Sequence, residues 1–369
     1  MDNLRRQVAG GGSGWLLRNV GDVERELGAA ERVLDRTYEL RPGVPLRGAP
    51  AAGLSGRHAG SSLASVARIR AGLSEGRIAA WDHRQAQTQG EPDPAGFPAA
   101  IVPHCRVEWF PPACARPPAA WRTARDFPWI FAAESMLDEL AHATHADPLA
   151  FRLRAMTPHK AYRIEHWAAD WFDSGRMAAC YARAAELAGW GRRLPADTGL
   201  GIAGCFSLGT YAAVVIEARV DAREGLEIQK AWGAVDCGVA GQRGDARAKN
   251  GFIEGVHAQL SNVVSPGSGN GSRLRQRRGR GTPFAVEIEA GGSVRAVRGA
   301  GELPAAPAAA ALANAVHAAC GRRIRSLAAG GSPRRDVQPR RSRSIILESR
   351  PPRRARRRER DGGSDERFR

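Results

Sequence analysis

Residues 211–235 read YAAVVIEARVDAREGLEIQKAWGAV. Two apolar-rich runs, 211–220 and 226–235, flank a polar turn from Asp221 to Gly225. β-Branched residues in short runs on either side of a glycine-ended turn predict two paired strands. The flanking segments carry a different period. Upstream, Met177 to Trp190 recurs at helical spacing and is closed by Gly189 and Gly191. Downstream, AAPAAAALANAVHAAC, 305–320, is rich in the strongest helix former and is stopped by Gly321. Strands and helices come in runs rather than in strict alternation, which gives an α+β class.

The N-terminal half reads in the same way. Val20 to Leu34 has Val23, Leu27, Ala30 and Leu34 at helical spacing with Asp22 as a cap, and a strand begins over Thr37–Leu40. Val66–Leu73 and Arg77–Trp81 flank Ser74-Glu75-Gly76 as a hairpin would, and Cys105–Phe110 alternates until Pro111-Pro112 ends it. Ile130–His145 is expected to be an amphipathic helix. Phe131, Ser135, Leu137 and Leu140 lie toward one side, and Glu134, Asp138 and Glu139 toward another. Asp147-Pro148 opens the next helix as N-cap and first helical residue.

With 369 residues, 43% of them hydrophobic, the chain can build a sizeable core. No apolar run approaches the roughly 20 residues of a membrane helix, and the first residues lack the apolar stretch of a secretory signal. A cytoplasmic location is expected, or a periplasmic one if further residues precede Met1. The six cysteines, at 105, 114, 180, 205, 237 and 320, form no C-x-x-C pair, so no iron–sulfur or zinc-ribbon loop is read. The net charge of +17 invites a nucleic-acid reading. It is localised, however: residues 331–369 hold 14 arginines against six acids, and this Arg-rich tail is expected to be disordered. Only one aromatic residue, Phe368, stands within the basic runs, so rows of stacking platforms for bases are missing and nucleic acid is not the expected partner. His142 and His145 stand three apart on a helix, a weak metal spacing that reads more simply as a solvated face, and no metal ligand is assigned.

Three segments carry a resemblance when taken in order. They are VPHCRVEWFPP (102–112) with AWRTARDFPWIFAAESMLDELAHATHADPLAFRL (120–153), Ala234-Val235-Asp236-Cys237-Gly238, and RGAGELPAAPAAAALANAVHAACGRRIRSL (298–327). Together they resemble the molybdopterin-binding large subunit of the xanthine dehydrogenase and aldehyde oxidase family, closest to isoquinoline 1-oxidoreductase beta subunits. The resemblance implies mixed sheets with packed helices and a bound molybdenum cofactor, molybdopterin cytosine dinucleotide in the bacterial branch. It implies a separate small [2Fe-2S] subunit that takes the electrons, and an N-heterocyclic or aldehyde substrate that is hydroxylated. It also implies site residues. Glu302, in Gly299-Ala300-Gly301-Glu302, would be the general base, and the flanking glycines would let backbone approach the cofactor. Taken alone, Glu302 reads more simply as a carboxylate that caps the positive end of the helix that follows. Arg122 stands where the family's arginine nears the metal, although Thr123-Ala124-Arg125-Asp126 replaces the usual glycine after it. Asp236, Cys237 and Gly238 match a strand end at the cofactor. Cys237 on its own reads as a packed core thiol.

The match has gaps. The family's glycine-rich G-G-G-F-G-R loop belongs between Leu40 and Leu63, where only 22 residues stand and no such motif occurs. The glutamine-containing segment after Asp236 is replaced by Ala248-Lys249-Asn250-Gly251. The expected organisation is an N-terminal remnant of the module (1–60), a first molybdopterin-binding subdomain (61–190), a second (191–330) with a flexible loop at 261–283, and the tail (331–369). The expected function is a molybdenum hydroxylase large-subunit module. The alternative is a non-catalytic truncated remnant that holds no cofactor.

Overall fold

The computed structural model describes residues 1–10, 14–41, 63–88, 96–111, 122–164, 171–207, 209–221, 225–236, 285–291 and 307–327, and a few helical residues between 253 and 260. Side chains of the first turn of the helix that opens at residue 122 are not among them. The described residues all belong to the first of two units, Met1–Pro333; the second, Arg334–Arg369, lies outside them, as do the expected loop at 261–283 and the tail.

Strands β1 (Trp15–Val20), β2 (Arg32–Leu40), β3 (Ser65–Ser74), β4 (Arg77–Gln87), β5 (His104–Phe110) and β12 (Ser326–Leu327) make one sheet in the order β1-β5-β4-β3-β2-β12. The expected hairpin is its centre, with Glu75 and Gly76 both at positive φ in the turn. Alternation along β3 splits its side chains between two apolar layers. Ala67, Ile69, Ala71 and Leu73 enter the main core, whereas Val66, with Ala64 and Ala86, packs under helix α1 (Asp2–Val8) through Leu4 and Val8. Helix α2 (Val23–Ala29) covers Ala80 on that second layer, capped as expected by Asp22, whose carboxylate accepts from Arg25 N. This helix is shorter than its periodicity predicted. Val33 and Leu34 instead extend β2, since nine successive residues pair with β3 from Arg32↔Leu73 to Leu40↔Ser65. Sheet pairing outweighs a weak local helical preference. Trp15, Leu16 and Val20 on the edge strand β1 remain exposed.

Strands β8 (Thr198–Ser207), β9 (Thr210–Asp221), β10 (Gly225–Asp236) and β11 (Ala285–Gly291) form the second sheet, in the order β11-β10-β9-β8. The 211–235 hairpin is β9–β10. A third, two-stranded sheet pairs β6 (Ala161–Arg163) with β7 (Trp171–Asp173). Between the large sheets run α3 (Arg122–Ala143) and α6 (Pro307–Cys320), flanked by α4 (Pro148–Ala155) and α5 (Ser174–Ala188). Asp147 caps α4 and the left-handed Gly189 ends α5, both as read. One apolar cluster joins Trp81 and Ile69 of the first sheet, Phe131 and Leu137 of α3, Ile216 of the second sheet and Ala311 of α6. None of the described helices is long and apolar enough to cross a membrane.

Candidate functional site

Two glycines set how α6 lies. A Cβ on Gly201 would fall 2.1 Å from Ala315 N and 2.2 Å from Ala311 O, and one on Gly199 2.4 Å from Ala319 N. The helix backbone therefore rests directly on β8 and runs antiparallel to it, so Pro307 lies toward the end of β8 that carries Phe206. Helix α3 runs beside α6 in the same direction. Glu134 O accepts from Asn314 Nδ2 at 3.4 Å, and His142 meets His317 further along both helices. Both helices therefore begin at the same end of the molecule. The second sheet ends there too: Asp236 pairs with Tyr211 and Gly291, and Tyr211 with Phe206.

Asp236 is held firmly at that end. Arg176 of α5 grips its carboxylate with Nε and Nη2, each at 2.8 Å, and lies over the Tyr211 ring at 4.3 Å. The Tyr211 hydroxyl accepts from Asp173 N at 2.8 Å, and burial pushes this phenol up to about 12. Its ring packs on Phe206 at 4.7 Å and Phe172 at 5.8 Å.

Phe206 also lines a cavity of about 40 Å³ together with Trp81, His83, Phe97, Trp129 and Glu134. That volume suits two or three waters. His83 is buried, 4.7 Å from the Trp129 ring, with Nε2 3.1 Å from Gln85 Oε1. Because Gln85 Nε2 donates to Ser65 Oγ, its Oε1 is the acceptor and His83 Nε2 carries the proton. Burial pushes this imidazole down to about 4, so the ring is neutral near pH 7 with its lone pair on Nδ1. The indole N–H groups of Trp81 and Trp129 are buried and have no acceptor among the described residues. Glu134 accepts from Tyr181 Oη at 2.6 Å and from Arg152 Nε at 3.0 Å; burial pushes its carboxyl up against the pull of Arg152 and Tyr181. The arrangement offers a neutral base, a buried carboxyl and unused donors between aromatic walls.

Of the residues singled out in the sequence, Asp236 is described and Arg122 is the first residue of α3, its side chain outside the described set. Cys237, Gly238, Gly299, Ala300, Gly301 and Glu302 lie outside the described residues. In sequence, Cys237 and Gly238 follow directly on Asp236, and Glu302 precedes Pro307 by five positions. His83, Trp129 and Arg176 were not anticipated. The only signal for Arg176 was its place in the first turn of a helix rich in small residues, and nothing in sequence tied it to Asp236.

No protein-family model matches the chain. Over 146 residues it is 31% identical to the isoquinoline 1-oxidoreductase subunit beta of Brevundimonas diminuta, a match that takes in 38% of this chain and 17% of that one. Quinoline 2-oxidoreductase from Pseudomonas putida 86 has a similar structure, with a TM-score of 0.50 and 11% identity over 72% of this chain and 60% of that one. The aldehyde oxidoreductase from Desulfovibrio desulfuricans gives a TM-score of 0.49 and 13% identity, over 72% and 48% of the two chains. The resemblance read in the sequence, to the molybdopterin-binding large subunits of the xanthine dehydrogenase and aldehyde oxidase family, holds. The α+β architecture of this family holds with it. The chain spans about a sixth of the curated relative's length through the matched stretch, and under two thirds of the structural neighbour.

Proposed function

We propose that this chain is the large-subunit module of a molybdenum hydroxylase, an oxidoreductase that hydroxylates a carbon beside a ring nitrogen or an aldehyde carbon. One observation carries the reading. The start of α3 at Arg122, the end of β10 at Asp236 and the start of α6, five residues after Glu302, share one end of the molecule. This common end supports reading the three segments that carry the family resemblance as parts of one site.

The described residues fit an anionic, hydrogen-bonding cofactor in their chemistry. The N-termini of α3 and α6 face the same end of the molecule, where helix N–H groups and positive dipole ends suit an anion. Trp81 and Trp129, whose buried indole N–H groups have no acceptor among the described residues, line the cavity beside Glu134 of α3. The 40 Å³ cavity is far smaller than a dinucleotide; the family resemblance would assign the cofactor contacts to Arg122, Asp236, Cys237, Gly238 and Gly299–Gly301. When bound, molybdopterin cytosine dinucleotide would supply the redox chemistry. Glu302 would hold and accept a proton at its carboxylate, a general-base role. Arg176 would fix the Asp236 strand end on which Cys237 and Gly238 follow. A small [2Fe-2S] partner would take the electrons, since C-x-x-C spacing is lacking here. The subdomains at 61–190 and 191–330 and a cytoplasmic setting belong to the same proposal.

The second reading, a remnant without cofactor, draws on the missing G-G-G-F-G-R segment between Leu40 and Leu63. Molybdenum per chain, measured by elemental mass spectrometry after co-expression with the small subunit, separates the two. A ratio near one supports the enzyme, and Glu302→Gln is then expected to lower kcat on N-heterocycles or aldehydes by about 10²–10⁴-fold. A ratio near zero in folded protein leaves the remnant.

A further inference from the structure

We propose that Asp138, His142 and His317 form a site for a divalent transition ion of the zinc class, at the far end of the α3–α6 pair from the helix starts. The three side chains come from two helices, and one ligand atom of each lies within 4.8 Å of the others. His142 and His317 occupy the last turns of α3 and α6, with ring centroids 4.5 Å apart and planes at 87°.

The hydrogen bonding already resembles that of a metal-ready imidazole. His142 Nδ1 lies 2.8 Å from the Asp138 carbonyl oxygen and 3.3 Å from the Asp138 carboxylate, both acceptors, so Nδ1 carries the proton and Nε2 keeps the lone pair. Bonding of one ring nitrogen to a backbone carbonyl is how proteins orient a metal-bound histidine. His317 Nδ1 is buried and has no partner among the described residues. A buried ring nitrogen without a partner is costly, and a metal bond would satisfy the imidazole. The helix C-termini add partial negative charge. Two imidazoles and one carboxylate, with further positions open to water, suit zinc and its neighbours rather than calcium or magnesium. Ligand atoms on a tetrahedral ion with bonds of about 2.0–2.2 Å stand about 3.5 Å apart. The side chains must therefore close, the Asp138 carboxylate turning from His142 Nδ1 toward the ion, and His142, with its side chain 39% exposed, has room for this. Arg323 donates to the same carboxylate, so ion and guanidinium compete for Asp138.

Calorimetric titration of the full chain with Zn²⁺ near neutral pH tests the site. One saturable equivalent is expected that weakens at least about tenfold in His142→Ala and in His317→Ala. It should be unchanged in His145→Ala, a control three residues from His142, and tighter in Arg323→Gln. Absence of saturable binding, or equal affinity in wild type and in both histidine variants, overturns the proposal. Should His317→Ala fail to fold, the half-exposed His142→Ala alone decides the comparison.

Discussion

Glu134 and Arg152 are both buried from water, and each is held by several groups. Arg152 donates to the Glu134 carboxylate and backbone oxygen and to Pro148 O, while Tyr181 supplies a second donor to the carboxylate. Arg152→Met removes the cation and leaves a buried carboxylate with one hydroxyl. We expect a loss of about 3–5 kcal/mol in urea unfolding, and a smaller loss when Glu134→Met is added, because no charge is then stranded. Equal losses in the single and double variants would contradict this. The row Glu134, Asp138, Glu139 also marks a limit of reading residues from sequence. Its spacing was legible and suggested a polar side of the helix. All three are buried, each against an arginine that is far away in the chain except for Arg152: Arg323 for Asp138, and Arg36 and Arg325 for Glu139. A carboxylate's period is visible locally; its counter-charge is not.

Helix α6 sits on β8 with no side chains between them at Gly199 and Gly201. Gly201→Ala would drive a Cβ into helix backbone at 2.1–2.2 Å, so the helix must lift from the sheet. A loss above about 4 kcal/mol, or failure to accumulate folded protein, is expected. Gly28→Ala is the contrast. It lies within α2, with nothing within 4 Å of the added methyl, and should gain about 0.5–1 kcal/mol, read as a higher Tm. The same glycines explain why β8 was not read as a strand. TGLGIAGCFS lacks β-branched alternation because close helix contact, rather than side-chain packing, selects its residues. The hairpins β3–β4 and β9–β10 and helices α4 to α6 were legible, since their turns and caps are local. Helix α3 begins eight residues before Ile130, through Pro128, which a local reading takes as a boundary.

Across the whole molecule, stability should fall in two stages on acidification. The His83 imidazole, pushed down to about 4 by burial, titrates near 6.5 in the unfolded chain. Between those values the unfolded chain binds the extra proton, so this contribution is complete above pH about 6.5 and is lost toward pH 4. It amounts to about 3 kcal/mol. Below that, a second group acts. Burial pushes the carboxyls of Asp82, Asp138 and Glu139 up, but Arg106 and Arg70, His142 and Arg323, and Arg325 and Arg36 respectively outweigh it and hold them below their ordinary values. Their stabilisation is present above the unfolded carboxyl values and is lost as pH falls through the lower folded ones. Urea midpoints of wild type and His83→Gln, taken from pH 7 down to 3.5, check this. The variant should be flatter between about 6.5 and 4, and both should drop below. At this scale the sequence yielded the class and the family resemblance, since segments keep their order. It could not yield which strands share a sheet: β12, only two residues long, joins β2 from nearly 290 positions away.

That late arrival sets a timetable for synthesis. Glu139 and Arg325 are separated by 186 residues, which a ribosome adding roughly 5–20 residues per second covers in about 10–40 s. From the synthesis of Gly201 until residues 307–320 follow, the groove over Gly199 and Gly201 has no helix to fill it, and until Arg325 is made Glu139 has only Arg36 of its two arginines. Closure of the central layer is therefore among the last events in the making of this chain, and a nascent chain cut short before residue 307 would leave its middle open to water.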